Sequence, residues 1–147
     1  MKLIIRKLKE EDFPAVIEIS KQSFSLPWSL KSFISELLNP QSILKVAEFN
    51  EEIAGYIVLR KILDEAELLS IAVKPELRRR GIATELIRNV MDEIKHSVKS
   101  CFLEVRISNT QAISFYEKMG FKKVGVRKKY YVLPEEDAVI MKIDLNQ

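Results

Sequence analysis

Three arginines followed by a glycine, Arg78-Arg79-Arg80-Gly81, are the first residues of this sequence that could bind an anion. They lie between an apolar segment that predicts a strand and an amphipathic segment that predicts a helix. The first turn of a helix attracts phosphate through its unpaired N–H groups and dipole, and glycine lets the backbone approach closely. The segment matches neither common nucleotide-binding signature. The residues alone leave a phosphate-binding loop and a solvated basic turn equally open.

Glu104 is the second residue that could do chemistry, because it is a carboxylate inside an otherwise apolar segment, 101–107. A carboxylate held in such surroundings can act as a general base. It can equally be a strand residue that faces solvent or pairs with Arg106 or a lysine. The residues alone favour this second interpretation.

Cys101 and His96 are the only cysteine and the only histidine in the chain. A single residue of each type excludes an intramolecular disulfide and a Cys/His zinc site. Catalysis through an acyl-cysteine would need a histidine partner, and His96 lies five residues away at a predicted helix end. We therefore predict a buried strand thiol at Cys101 and no metal.

Length and charge indicate one ordinary soluble domain, residues 1–147, with a net charge of +3 and a pI near 8.9. No apolar run approaches the ~20 residues of a membrane span, and the N-terminus becomes charged too early for a signal peptide. We expect a cytoplasmic protein, monomeric or weakly dimeric, without a membrane or a specific nucleic-acid partner. The basic segment 122–131, with Tyr130 and Tyr131 at its end, could bind RNA, but an exposed hairpin face is favoured.

Hydrophobic periodicity predicts the element order β-α-α-β-β-β-α-β-α-β-β. The first helix follows the acidic residues 10–12 and carries an apolar stripe of Phe13, Val16, Ile17 and Phe24. Ser29 is the predicted N-cap of a second helix that runs to residue 38. These elements imply a mixed α/β fold: a mostly antiparallel sheet of six to seven strands flanked by four helices.

The remaining elements follow from apolar runs and turn residues. Segment 68–73 is apolar at nearly every position, which predicts a strand buried on both faces, and Gly55 predicts a bulge or a close packing partner in the preceding strand. Gly120 predicts a helix end. The predicted ranges are strands 3–8, 43–49, 53–59, 68–73, 101–107, 121–131 and 138–145, and helices 81–95 and 111–119.

The segment RRRGIA at 78–83 resembles the [Q/R]-x-x-G-x-[G/A] signature of the GNAT acetyltransferase superfamily. Residues 69–75 resemble the strand that leads into that loop, and 109–121 resemble the family's N-x-x-A-x-x-[FL]-Y-x-x-x-G-F element. LEVR at 103–106 and RKKYY at 127–131 are similar to the RimI-like ribosomal-protein-alanine N-acetyltransferases, and archaeal protein N-terminal acetyltransferases share much of this pattern.

This resemblance assigns the roles of the site residues. It implies that Glu104 is the general base, acting through a water, and that Tyr116 is the general acid for the departing thiolate. Trp28, Tyr130 and Tyr131 would line the substrate slot, although Trp28 could equally be a core anchor, and Asn109 can also cap the helix that follows it. The implied acetyl-CoA contacts are Ile71, Ala72, Val73, Arg78, Arg79, Arg80, Gly81, Ile82, Ala83, Thr84, Asn109 and Tyr116.

The implied activity is transfer of acetyl from acetyl-CoA to the α-amine of a protein N-terminus, by direct attack in a ternary complex. The acceptor would be the alanine of a ribosomal protein or many nascent chains. Two alternatives stay open: a small-molecule amine acetyltransferase, and a non-catalytic module that binds CoA or RNA.

Overall fold

The structure is a computed structural model that describes residues 2–145, and it confirms the predicted order of elements. The strands are β1 (Leu3–Lys7), β2 (Ser42–Phe49), β3 (Glu52–Ile62), β4 (Glu65–Val73), β5 (Ser100–Arg106), β6 (Lys122–Val132) and β7 (Glu135–Asp144). The helices are α1 (Phe13–Ser23), α2 (Leu30–Leu37), α3 (Ile82–Ile94) and α4 (Thr110–Lys118).

The seven strands form one mixed sheet in the order β1-β2-β3-β4-β5-β7-β6. β1 pairs antiparallel with β2, and β2 with β3. β5 and β6 pair antiparallel with β7, whereas β4 and β5 are parallel. The predicted mixed, mostly antiparallel sheet is therefore confirmed. Between residues 2 and 145, no helix is long and apolar enough to cross a membrane.

The chain forms two compact units, and the first comprises the chain up to Arg60 together with Leu69–Ile94. Its core is built from aromatic and aliphatic side chains of the first two helices and of strands β2 to β4. The buried members are Leu8, Phe13, Val16, Ile19, Phe33, Leu44, Val46, Tyr56, Val58 and Ala72.

Helix α1 buries Ile19 instead of the predicted Phe24. The helix ends at Ser23, and Phe24 has an extended backbone with φ −132° and ψ 146°. Its side chain therefore leaves the helical face, and 40% of its surface is exposed. Ser29 caps α2 as predicted, because its hydroxyl accepts the N–H of Ser32 at 3.1 Å.

Strand β4 differs from its predicted pattern. It begins at Glu65, and its residues alternate between buried and half-buried positions, so the prediction of a strand buried on both faces is wrong. Leu69 and Ile71 are only half-buried. Ser70 is buried on the opposite face, where its hydroxyl bonds the Tyr56 hydroxyl at 2.8 Å.

The predicted apolar face of α3 is confirmed residue by residue. Ile82, Leu86, Ile87, Val90, Met91 and Ile94 are its buried residues. The helix packs on β1 and β2, and Lys45 of β2 makes a 2.8 Å ion pair with Glu93. This packing fixes the position of the segment that precedes α3.

The second unit comprises Lys61–Leu68 and the chain from Lys95 onward. Asn109 caps α4, because its side-chain oxygen accepts the N–H of Ala112 at 3.1 Å. Gly120 ends that helix region with φ +106°, as predicted. Cys101 is a buried free thiol, also as predicted.

Strand β6 contains an irregularity that matters for the site. Arg127 is paired with Ala138, whereas Tyr131 is paired with Glu136. Between these two pairs, residues 128–130 of β6 therefore lie opposite the single residue Asp137 of β7. Lys129 lies within this bulge with φ +53°, and its N–H donates to Asp137 Oδ1 at 2.8 Å. A bulge of this kind changes the direction in which neighbouring side chains point.

Candidate active site

The arginine-glycine segment forms the entry to α3 in the first unit. Arg79 and Gly81 both have positive φ, +65° and +81°. A Cβ placed on Gly81 would meet no atom within 4 Å, so the space beside this backbone is open. An open backbone of alternating conformation at a helix N-terminus is suited to an anion.

The three arginines of this segment have different surroundings. Arg78 is tied to the protein: Nε donates to the Val73 carbonyl at 3.0 Å, and Nη2 donates to Ser23 Oγ at 3.1 Å. The Arg80 guanidinium lies 5.7 Å from the ring centre of Phe49. All three arginines are exposed. Arg78 braces the loop through its two hydrogen bonds, and Arg79 and Arg80 present their charge to solvent.

The end of β4, Ile71–Val73, is held close to β3. A Cβ on Gly55 would lie 2.8 Å from the Ala72 carbonyl oxygen and 3.2 Å from a Val73 methyl group. The Lys74 N–H also donates to the Ala54 carbonyl at 2.8 Å. A bulge is present beside Gly55 as well, because Ala47 pairs with Gly55 but Glu48 with Ile53. Both predictions made for this glycine are confirmed.

Glu104 lies on β5 in the second unit, and its partner is neither Arg106 nor a lysine. Arg127 Nε is 2.9 Å from Glu104 Oε2, and Tyr130 is a further neighbour that affects the pKa of this carboxyl. Oε2 is buried and, within residues 2–145, has no partner that meets hydrogen-bond geometry, so the contact with Arg127 is an ion pair. The predicted alternative of an Arg106 or lysine partner is wrong.

The pKa of the Glu104 carboxyl is raised above its ordinary value. Burial is the main cause, the charge of Glu67 adds to it, and Arg127 and Tyr130 act against it. A carboxylate with a raised pKa is a stronger base once ionised, and so it can accept a proton from an amine or a water.

Glu104 also lines a pocket of about 270 Å³. Three carboxylates and one guanidinium face this space, together with apolar side chains of β5 and β7. The lining residues are Ile62, Glu65, Ala66, Glu67, Phe102, Leu103, Glu104, Arg127 and Ile140. The acidic balance of this lining favours a cationic or amine ligand.

Tyr116 lies on α4 between two aromatic rings. Its ring centre is 5.4 Å from that of Phe115 and 5.7 Å from that of Phe121. Burial raises the pKa of its hydroxyl, and the nearby Tyr131 and Cys101 add to the shift. The hydroxyl therefore keeps its proton at neutral pH, which is the state in which it could act as an acid.

Tyr130 and Tyr131 lie near the end of β6, with ring centres 5.1 Å apart. The Arg106 guanidinium lies 4.3 Å from the ring centre of Tyr131. It also donates to the carbonyl groups of Pro134 and Leu133 and to the Glu136 carboxylate, at 2.9, 3.1 and 3.1 Å. Arg106 therefore fixes the β6–β7 turn and one of the two tyrosines.

Trp28 is half-buried in the first unit, where its ring packs 5.2 Å from that of Phe33. Its backbone N–H donates to Ser20 Oγ at 2.8 Å. These contacts support the core-anchor interpretation, and a substrate contact by Trp28 stays a prediction.

Sequence reasoning did not single out Arg127 or Glu67 as parts of the site. Glu67 would have been found if the strand had been extended back to Glu65, since it follows the same alternation as Leu69 and Ile71. Arg127 belongs to the RKKYY segment at 127–131 that carries part of the resemblance, but nothing in the sequence links it to Glu104, because it reaches the carboxylate through the pairing of β5, β7 and β6. Among the residues described, no three His, Cys, Asp or Glu side chains are arranged to hold a metal ion.

Comparison with known proteins gives a consistent result. A family model described as "Acetyltransferase (GNAT) family" matches residues 7–121. A Bacillus subtilis protein provisionally named a ribosomal protein bS18-alanine N-acetyltransferase is 37% identical over 148 residues, covering 99% of this chain and 98% of that protein. The Escherichia coli K12 protein named [Ribosomal protein bS18]-alanine N-acetyltransferase is 34% identical over 145 residues, covering 97% of each.

Among solved structures, the crystal structure of the ribosomal-protein-S18-alanine N-acetyltransferase from Escherichia coli matches this chain with a TM-score of 0.91. The two sequences are 33% identical, and the match covers 99% of this chain and 96% of that one.

Proposed function

This chain belongs to the acetyltransferase (GNAT) family, and from that membership we propose that it acetylates the α-amine of a protein N-terminus. It is an acetyl-CoA-dependent N-acetyltransferase. The names of its relatives specify the alanine of ribosomal protein bS18 as their acceptor, and we propose the same N-terminus as the acceptor here. The whole chain, residues 1–147, would act as one acetyltransferase domain.

Acetyl-CoA supplies the acetyl group as a thioester, and the residues of the first unit fit its phosphates. The open backbone at Gly81 and the first turn of α3 would bind the pyrophosphate, with Arg79 and Arg80 adding charge. Arg78 would support the loop from behind. The backbone of Ile71–Val73 would donate hydrogen bonds to the pantetheine arm and to the thioester carbonyl, where negative charge develops during attack.

The observation that carries the proposal is the Glu104 carboxylate, which lines an acidic pocket and has a raised pKa. Only a neutral amine can attack a thioester, and an α-amino group has a pKa of about 7.7–8.0. Glu104 would remove the amine proton through a water. Tyr116 would protonate the CoA sulfur as the carbon–sulfur bond breaks and the new amide bond forms.

Mass spectrometry of peptide N-termini after incubation with acetyl-CoA tests this function. We expect one acetyl group on the α-amine of a peptide with the bS18 N-terminal sequence, and weaker labelling of Ser- and Met-initiated peptides. The same peptide with a blocked N-terminus is the control, and it should stay unlabelled. Faster acetylation of polyamines would indicate a small-molecule enzyme. Salt-dependent RNA binding without any acetylation would indicate a non-catalytic module.

A further inference from the structure

Two carboxylates meet in the pocket of the second unit. Glu67 of β4 and Glu104 of β5 lie on neighbouring parallel strands and line the same space. Two negative charges in one partly buried pocket repel each other, and this repulsion favours the protonated form of one of them. A cation close to Glu104 opposes this effect and favours the ionised carboxylate, which is the form that can act as a base.

Arg127 is the cation that lines this pocket. Its Nε is 2.9 Å from Glu104 Oε2, which is itself buried. The Arg127 guanidinium carbon also lies 5.7 Å from the ring centre of Tyr130, and Tyr130 is close enough to Glu104 to affect the pKa of its carboxyl. Arginine and tyrosine thus contact each other beside Glu104.

The bulge in β6 makes this arrangement possible. On a regular strand, residues three apart such as Arg127 and Tyr130 point to opposite faces. Gly125 to Arg127 pair in regular register with Ile140 to Ala138, and the register shift after Arg127, with Lys129 at φ +53°, brings the Tyr130 ring to the Arg127 guanidinium. A backbone irregularity that places an aromatic ring against the cation of an ion pair indicates a specific role for the two side chains.

We propose that Arg127 is a positioning residue, which holds the Glu104 carboxylate as an oriented anion against the repulsion of Glu67. The Tyr130 ring lies beside the guanidinium and helps to hold it in place. The inference rests on the proposed function, in which Glu104 is the base. Arg127 itself transfers no proton, because a guanidinium stays charged at every pH of interest.

The charged and titratable groups around Glu104 define the expected effects. Glu67 and Glu65 line the pocket from β4, Arg127, Tyr130 and Tyr131 influence it from β6, and the paired residue on β7 is the apolar Ile140. Removing the cation should raise the pKa of Glu104, whereas removing the Glu67 charge should lower it. If either side chain had only a structural role, its removal would not shift the Glu104 pKa in opposite directions in this way.

The test is a pH titration of the Glu104 carboxyl by ¹³C NMR in the full-length protein, with Glu104→Gln used to assign the signal. Relative to wild type, we expect the midpoint to move to higher pH in Arg127→Met and to lower pH in Glu67→Gln. In Arg127→Lys, which keeps the positive charge, the midpoint should lie between those of wild type and Arg127→Met. Lys128→Met removes an exposed cation from the same strand and is the matched control, whose midpoint should stay near that of wild type.

The pH dependence of turnover of the N-terminal peptide should follow the Glu104 midpoint of each variant. We expect Arg127→Met to lose several-fold in kcat at acidic pH and to regain most of it at alkaline pH, with unchanged acetyl-CoA affinity. Equal midpoints in wild type and Arg127→Met, or midpoints that move the same way in Arg127→Met and Glu67→Gln, would overturn the proposal. The NMR readout needs no acceptor, so a wild type that acetylates no peptide would refute the proposed function separately.

Discussion

Glu104 and Tyr116 owe their expected chemistry to burial, which raises the pKa of each. For the carboxyl, the shift increases its basicity, and the charge of the neighbouring Arg127 acts against the shift. For the phenol, the shift keeps the proton in place at neutral pH. The ordinary pKa of a thiol, about 8.5, lies below that of the phenol, so transfer of the proton to the sulfur is uphill, and we expect it to occur together with breaking of the carbon–sulfur bond.

Removing either proton-transfer group should lower turnover and leave cofactor binding intact. We expect Glu104→Gln to reduce kcat by about 10²-fold or more, the usual contribution of a positioned base, and Tyr116→Phe to reduce it to a smaller extent. Steady-state kinetics with the N-terminal peptide measures both, and calorimetry measures acetyl-CoA affinity. Glu117→Gln, at an exposed position of α4, is the control. Unchanged turnover in both variants would refute the assigned roles.

The entry to α3 and the end of β4 depend on two glycines that are needed for different reasons. Gly55 is required by space, since a Cβ there would lie 2.8 Å from a backbone oxygen. Gly81 is required by conformation, since its φ is +81° while the surrounding space is open. One glycine brings two strands together, and the other shapes the surface that phosphate would approach.

Alanine substitutions should separate these two functions. We expect Gly55→Ala to destabilise the fold by about 1–3 kcal/mol through overpacking. Gly81→Ala should cost about 1–2 kcal/mol through its positive φ and should also weaken acetyl-CoA binding, because its Cβ enters the open space. Urea unfolding measures the change in the free energy of unfolding, and calorimetry measures the change in acetyl-CoA affinity. Gly125→Ala, whose Cβ would make an ordinary 3.6 Å contact with Ile140, should be nearly neutral. A greater loss of affinity in Gly55→Ala than in Gly81→Ala would contradict this division.

The stability of the whole molecule should depend on acid-sensitive ion pairs, of which Asp12 is the clearest in the first unit. Burial raises the pKa of Asp12, but hydrogen bonds from Arg6 and the Lys9 N–H outweigh that effect and lower the pKa below its ordinary value. Arg6 binds both carboxylate oxygens, at 2.8 and 2.9 Å. A carboxyl whose pKa is lower in the folded than in the unfolded protein stabilises the fold at pH values above its pKa in the unfolded protein. This stabilisation is lost as the pH falls through its pKa in the folded protein.

Asp12→Asn should therefore destabilise the protein at neutral pH by about 2 kcal/mol, the scale of hydrogen bonds to a charged group. The difference from wild type should shrink below the ordinary Asp pKa of about 3.9. Fluorescence of Trp28, the single tryptophan, follows urea unfolding of the first unit at each pH. Glu11→Gln, at an exposed neighbouring position, is the control. A gap between Asp12→Asn and wild type that stays constant down to pH ~2 would refute the linkage.

The sequence by itself determined the order of elements, the buried face of α3, the caps at Ser29 and Asn109, and the helix end at Gly120. These features are local: each depends on residues within a few positions along the chain, whose spacing and backbone preferences are visible in the sequence. Resemblance in three segments, 69–75, 78–83 and 109–121, also predicted the acetyltransferase family.

Only the tertiary structure decided which groups surround each site residue. Glu104 is paired with Arg127, and not with Arg106, because the pairing of β5 with β7 and of β7 with β6 brings the more distant arginine to the carboxylate. Arg78 bonds Val73 and Ser23, so it differs from the two arginines that follow it. Such partners depend on register, on bulges and on where a helix stops, and a one-residue change in any of these moves a side chain to another face. Local patterns do not encode them.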